Sequence, residues 1–440
     1  MIQTAPPRPK PTSNVQVAGK YRWVVVALLF FATTINYLDR QVIGLLKDDL
    51  ARSFNWSEKD YSNIVMAFSA AYALGLLLFG RLIDRIGTKL GYTISVVIWS
   101  LAAMAHALAK STFGFGVART ALGLGEAGNF PAAIKSVAEW FPKKDRALAT
   151  GIFNSGSNIA AIAGPPLIAW IYTSYGWREA FIWTGVLGFI WLLFWGIFYE
   201  IPARQKRLGK AELAYINSDA PEADPENDSR VSWSKILGFR QTWSFVVGKF
   251  LTDPIWWFYL FWIPSYFNTT YHLDISQSAI YVSTIYVTAS FGSVLGGYLS
   301  GLLIKRGLPV YKARKTAMLL FALLVVPVVF VQFTTHAWTA VILISLAAAA
   351  HQAWSANIFT TASDMFPKKA VSSVVGIGGM AGSVGGILFP LLIGILLDHF
   401  KALGTLNTGY NIIFGICGGA YLLAWFMMNL LSPSMKQVRL

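Results

Sequence analysis

The chain has 440 residues, 55% hydrophobic and only 13% charged, with a net charge of +15. Soluble domains carry about 25% charged residues, so this composition excludes an ordinary soluble globular protein. The basic excess falls in short links between apolar runs and not along one amphipathic face, which argues against a nucleic-acid partner and reads as a membrane-topology signal. The single cysteine, Cys417, lies in an apolar run; it rules out a disulfide framework and reads as a core residue.

Residues 1–20 are polar and Pro-rich without an apolar signal core, so the first apolar run is expected to be retained. A helix needs about 20 apolar residues to cross a bilayer. The chain supplies such runs at 21–46, 61–82, 90–110, 112–136, 146–171 and 179–200. It supplies six more at 241–270, 276–304, 314–334, 337–362, 371–397 and 408–432. Open sheet edges cannot face lipid, so the runs are predicted to be helices. Of the 36 Lys and Arg, 26 fall at links on the side of the N-terminus, six on the opposite side and four inside spans. That bias predicts cytoplasmic termini and an even number of spans.

The long polar link divides the chain into a tail (1–20), a first six-helix bundle (21–200), a linker (201–240), a second bundle (241–432) and a tail (433–440). An internal repeat supports the division. Residues 139–168 resemble residues 364–393 at a constant offset of 225, matching Phe141 to Phe366, Gly151 to Gly376 and Pro165 to Pro390. Repeat interfaces near the bilayer midplane are where transporters build their sites. The fold class expected is an all-α integral membrane protein of twelve transmembrane helices in two pseudo-symmetric bundles.

Charges inside spans need a reason, since each costs about 2.5–3.5 kcal/mol at the bilayer centre. Asp39 and Arg40 sit side by side in the first run. Arg119 and Glu126 are seven apart in the fourth, so they share a helix face, with Asn129 a turn beyond. Either a locked Arg119–Glu126 pair or a substrate role fits Arg119. An arginine fork suits a carboxylate, while a buried acid beside it suits a coupled proton. Lys135 and Glu139, four apart near a helix end, read as a local pair; Lys249 and Asp253 repeat that spacing in the seventh run and also read as structural. Trp256, Trp257 and Tyr259 precede Pro264, which should bend the helix; such rings can cover the C–H face of a sugar. The repeat offset carries Glu126 to His351, with Ser355 on the same face, as a hydroxyl or carboxylate contact. Gly123, Gly125 and Gly128 spell GxGxxG, but no strand precedes them, and helix packing explains them better. No metal-ligand spacing and no nucleophile–base grouping occurs, so neither an enzyme nor a metal cofactor is expected.

The segment 80–89, GRLIDRIGTK, resembles the loop motif of the major facilitator superfamily, with Gly80, Asp84, Arg85, Gly87 and Lys89 matching. The resemblance implies that this loop helps hold the inward-closed state. The segments 36–40, NYLDR, and 119–133, RTALGLGEAGNFPAA, are similar to the anion:cation symporter family within it. The stretches 253–264 and 351–382 look like those of bacterial hexuronate transporters. These resemblances imply an inner-membrane symporter, expected as a monomer, importing glucuronate or galacturonate with protons as the coupling ion. Asp39 and Glu126 match protonation sites, and Tyr37, Arg40 and Tyr72 match the sugar-acid site. Ser157 stands where aldonate members carry Gln, which puts hydroxyl recognition there in doubt. Another organic anion, or exchange without protons, remains an alternative.

Overall fold

A computed structural model describes residues 19–219, 231–273 and 275–440. The polar stretch 220–230 and most of the N-terminal tail lie outside the described residues. Every described element is helical. The first six spans are Tyr21–Leu45, Glu58–Ile86, Thr88–Ala105, Thr112–Glu126 continued by Asn129–Trp140, Lys143–Asn154 continued by Gly156–Tyr175, and Trp177–Phe198. The second six are Arg240–Phe261 continued by Ile263–Tyr271, Ile275–Lys305, Val310–Val325, Ala337–Met365, Val371–Ala402 and Leu406–Leu431. Among the described residues nine helices are long and apolar enough to cross a membrane, by length and composition. The fourth, fifth and seventh spans, absent from those nine, are the ones divided by a break.

Each break has a local cause or a local marker. The fourth span yields at Ala127–Gly128, just before Pro131. The seventh yields at Trp262, two residues before Pro264, as a ring without an N–H requires. The ninth was expected to be one helix, but it tightens into a 3-10 stretch, Val326–Phe333, with Pro327 in its first turn. Side chains cap the starts of the second and fourth spans. Ser57 and Asp60 form a reciprocal capping box at the second span, and Ser111 accepts from the Gly114 amide at the fourth. Gly87 stops the second span at φ +87°, a conformation that a side chain would strain.

Several links are more helical than their sequence implied. The second span runs on to Ile86, through most of the link placed at 81–89, and Lys47–Phe54 forms a short helix after the first span. The linker holds the helices Lys210–Ile216 and Trp233–Leu237. Glu212 of the first of these is buried and accepts from the amides of Tyr21 and Arg22, pairing also with the Arg22 guanidinium at 3.0 Å. Near the other end of the chain, the Val438 amide donates to Met365 O at 2.8 Å. Both described chain ends and the linker thus occupy one end of the bundle.

The two sets of six helices meet most closely at that end. Gly80 and Gly376 let the second and eleventh spans touch: a methyl on Gly80 would lie 2.6 Å from Ser372 O, and one on Gly376 would collide with Leu76 O. Gly151 and Gly297 do the same for the fifth and eighth spans against Ser293 O and Ala147 O. Small residues permit such approach where lipid supplies no driving force of its own. Polar contacts finish the seam. The Ser373 amide donates to Asp84 at 2.7 Å, Arg146 to Ser363 O at 2.7 Å, and Arg314 to Lys143 O at 2.7 Å. Asp364 holds Arg314 at 3.0 Å, and Lys305 reaches Asp145 at 2.9 Å. The bundle is therefore shut on the linker side.

Candidate functional site

Between the two halves lies a cavity with about 90 Å³ open to the centres of water molecules. Its first-half wall carries Tyr37, Arg40, Tyr72, Asn154 and Ser157; its second-half wall carries Lys249, Asp253, Trp256, Trp257, His351, Gln352 and Ser355. Of the nine substrate-site positions expected from sequence, eight are therefore joined in one space, and Arg119 stands apart.

Arg40 is the centre of the first-half wall. Its guanidinium carbon lies 4.8 Å from the Tyr37 ring centroid, 4.6 Å from that of Tyr72 and 5.0 Å from that of Phe68. Three ring faces replace part of its lost hydration by cation–π attraction. Its Nε donates to Glu126 Oε2 at 2.9 Å, and one terminal nitrogen stands 2.9 Å from the same oxygen. Glu126 is fully buried behind it, with Oε1 left unbonded. The cation faces the cavity and the acid backs it.

Arg119 does not lock to Glu126. It donates to Arg40 O at 2.8 Å and lies 4.5 Å from the Phe68 ring centroid. It is almost wholly buried, so it braces the Arg40 backbone and presents nothing to the cavity. Asp39 also points away from the cavity, as the next residue on a helix must. Both of its oxygens are buried without a hydrogen bond; Thr184 lies beside it, but that hydroxyl donates to Phe181 O at 3.3 Å. Two unsatisfied carboxylate oxygens are costly in a membrane interior unless the group is neutral or hydrated.

The second-half wall differs in chemistry. His351 stacks on Trp256, ring centroids 5.1 Å apart at 11°, and its Nδ1 meets the Tyr421 hydroxyl. One face of Trp256 is thereby spent on the histidine and not on a ligand. Lys249 pairs with Asp253 at 2.6 Å and lies 3.9 Å from the Phe359 centroid. The expected structural pair exists, but it is built into the cavity wall. Ser157 donates to Asn154 O at 2.8 Å within its own helix turn. Asn154 donates to Gln352 at 2.8 Å, and Gln352 to Asn158 at 3.3 Å, so an amide chain bridges the halves across the cavity.

The loop motif lies at the shut end. Asp84 accepts from Lys135 at 2.9 Å and from the first amides of the eleventh span, Ser372 at 3.3 Å and Ser373 at 2.7 Å. This corrects the local Lys135–Glu139 pair: Lys135 crosses to the second span, and Glu139 accepts instead from Thr88 at 2.8 Å and Tyr199 at 2.7 Å. Lys89 reaches Glu200 at 3.1 Å, and Arg85 is exposed.

Two six-helix halves around one central cavity, sealed at one end by this motif, have a counterpart among known families. The family model described as Major Facilitator Superfamily matches residues 29–390. The chain belongs to that superfamily. This facilitator is 35% identical to the hexuronate transporter of Escherichia coli (strain K12) over 379 residues, 86% of this chain and 88% of that one. It is 36% identical to the galacturonate transporter of Dickeya chrysanthemi over 280 residues, 63% and 81% of the two chains. In fold it resembles the proton:xylose symporter XylE, with a TM-score of 0.73 at 15% identity, covering 93% of this chain and 95% of that one. It is a multi-pass membrane transporter, not an enzyme.

Asn154, Gln352, Lys249 and Asp253 are among the wall residues of this facilitator that sequence reasoning passed over as site members. A signal existed for one of them. The repeat offset of 225 carries Asn154 to Gly379 and Ser157 to Gly382, and all four line the cavity. The Lys249–Asp253 spacing looked local, and nothing in one helix tells which way such a pair faces.

Proposed function

We propose that this facilitator is a symporter importing a monovalent sugar acid, a hexuronate, together with protons. The observation that carries the reading is Arg40: a caged guanidinium on the cavity wall whose carboxylate partner among the described residues is the buried Glu126. A substrate carboxylate and Glu126 compete for one fork. When Glu126 takes a proton, its hold on Arg40 weakens and the fork is released to the substrate; when the proton leaves, Glu126 reclaims it. Binding of anion and proton is thereby linked, as any two ligands of one switch must be. Asp39, at the back of the same turn, is the second proton carrier. Tyr37 and Tyr72 shape the pocket, and Trp257, His351 and Ser355 meet the hydroxyls.

Alternating access follows from the seam. The halves are joined at the linker end by glycine contacts and charge pairs, which must separate to release cargo there. With the basic links on that side, the termini face the cytoplasm of a bacterial inner membrane.

The names of the relatives support the substrate class, and the Arg40–Glu126 geometry supports the coupling. Purified protein in liposomes tests both. Labelled glucuronate or galacturonate should accumulate under an inward proton gradient. Glu126→Gln should abolish accumulation while leaving exchange of labelled for unlabelled substrate. Accumulation that survives in Glu126→Gln would point to a carrier without this coupling. Uptake of an aromatic acid in preference to both sugars would move the substrate class.

A further inference from the structure

The cavity has two ion pairs, one on each half, and they face it with opposite polarity. On the first half the cation stands forward: the Arg40 side chain is 13% exposed, and Glu126 behind it is 0%. On the second half the acid stands forward: the Asp253 side chain is 24% exposed, and Lys249 behind it is 5%. Lys249 is held back against the face of Phe359. The eleventh span makes room for this arrangement at Gly382, where a methyl would collide with the Asp253 carboxylate. Arg40, with Tyr37 and Tyr72 beside it, and the Lys249–Asp253 pair line one cavity, so the two pairs address one ligand.

We propose that Asp253 is a specificity-determining residue that admits a substrate with one carboxylate and a hydroxyl-bearing far end, and rejects the dicarboxylate. The inference rests on the sugar-acid reading above and goes beyond it by naming what excludes the near neighbours. A carboxylate ligand is received by the forward cation, Arg40. At the other wall a forward carboxylate can only accept, so it suits a hydroxyl, whose O–H donates to it in a charge-assisted bond. Lys249 pairs with Asp253 from behind, held against Phe359, without offering a cation to the ligand. A second ligand carboxylate would meet Asp253 head-on, and like charges juxtaposed in a site out of water are strongly disfavoured. A hexuronate and the corresponding aldarate differ at one carbon: in the first it is a hydroxyl-bearing hemiacetal that closes the ring, in the second a carboxylate on an open chain. The other polar groups on that wall, His351, Gln352 and Ser355, can meet hydroxyls but present no carboxylate to oppose a second one. His351 is in addition committed through Nδ1 to Tyr421, and Gln352 to Asn154 and Asn158.

The test uses the purified full chain in liposomes and three probes: galacturonate, galactarate and galactonate. Galactonate is the shape control, open-chained like galactarate but with one carboxylate. Wild type should take up galacturonate, and galactarate should compete against it at least about tenfold less well than galactonate does. Asp253→Asn keeps the size and removes the forward charge. It should raise galactarate uptake relative to galactonate by about tenfold or more, with Lys249 now free to meet the second carboxylate. Equal competition by galactarate and galactonate in the wild type would overturn the proposal, and that measurement needs no variant to fold. An Asp253→Asn protein with a wild-type melting profile and an unchanged galactarate-to-galactonate ratio would also overturn it. Absence of galacturonate uptake by the wild type defeats the sugar-acid reading and this inference with it; uptake without discrimination defeats the inference alone.

Discussion

Arg40 has one guanidinium and two claimants, the buried Glu126 and an arriving carboxylate. The planar fork matters because it binds two oxygens at once, whereas an ammonium is a point charge on a flexible stem. Arg40→Lys keeps the charge and loses the fork. Sugar-acid uptake should fall about tenfold to a hundredfold, mainly through a raised KM, in initial-rate transport measurements. An unchanged KM would mean that Arg40 does not hold the substrate. The charged residues were legible one at a time, because a bilayer makes each expensive. Their pairing was not. Arg119 and Glu126 share a helix face seven residues apart, yet it is Arg40 from another span that takes Glu126, while Arg119 bonds the Arg40 carbonyl. Sequence spacing ranks partners on one helix and is silent about partners across helices.

The elements meet through glycine. Gly376 lies against Leu76 O and Gly80, and the Ser373 amide, within one turn of it in the same helix, is held by Asp84. A leucine at Gly376 has no room there; overpacking of this kind costs about 1–3 kcal/mol, and it falls only on the state shut at the linker end. Gly376→Leu should therefore open that end. A reporter cysteine, Ser373→Cys, is buried in the shut state and should react with a thiol reagent about fivefold to a hundredfold faster in the Gly376→Leu background. The native Cys417 is fully buried and keeps the background low. An unchanged labelling rate would mean that the second and eleventh spans do not govern closure. Helix existence was legible from apolar run length, since a bilayer sets that length. The breaks at Ala127–Gly128 and Ser155, and the 3-10 stretch after Val325, were not, because a nearby proline such as Pro131 or Pro327 marks a weak point without saying whether the helix parts, tightens or only bends there.

Over the whole molecule, the charges facing or backing the cavity balance: Arg40 with Glu126, Lys249 with Asp253. A monovalent anion entering with one proton is neutral and draws nothing from the membrane potential. With two protons, one net positive charge enters, worth about 2.3 kcal/mol per 100 mV. Asp39 and Glu126 are two acids within the first bundle, so we expect the two-proton case. Adding galacturonate outside liposomes that hold the protein should produce an inward positive current at zero pH gradient. Uptake without current would reduce the stoichiometry to one.

The amino-acid sequence by itself determined the class of the molecule: apolar run lengths fix a helical membrane protein, basic links bias its orientation, a 225-residue repeat divides it, and the costly residues Asp39, Arg40 and Glu126 stand out within its first bundle. These are local or additive properties, readable without knowing what touches what. Only the tertiary structure decided which wall each side chain joins. It turned Lys249 and Asp253 from a helix-internal pair into a cavity wall with the acid forward, sent Lys135 to Asp84, and bridged the halves through Asn154 and Gln352. Those outcomes depend on the rotation and tilt of whole helices against one another, and many side chains set these together.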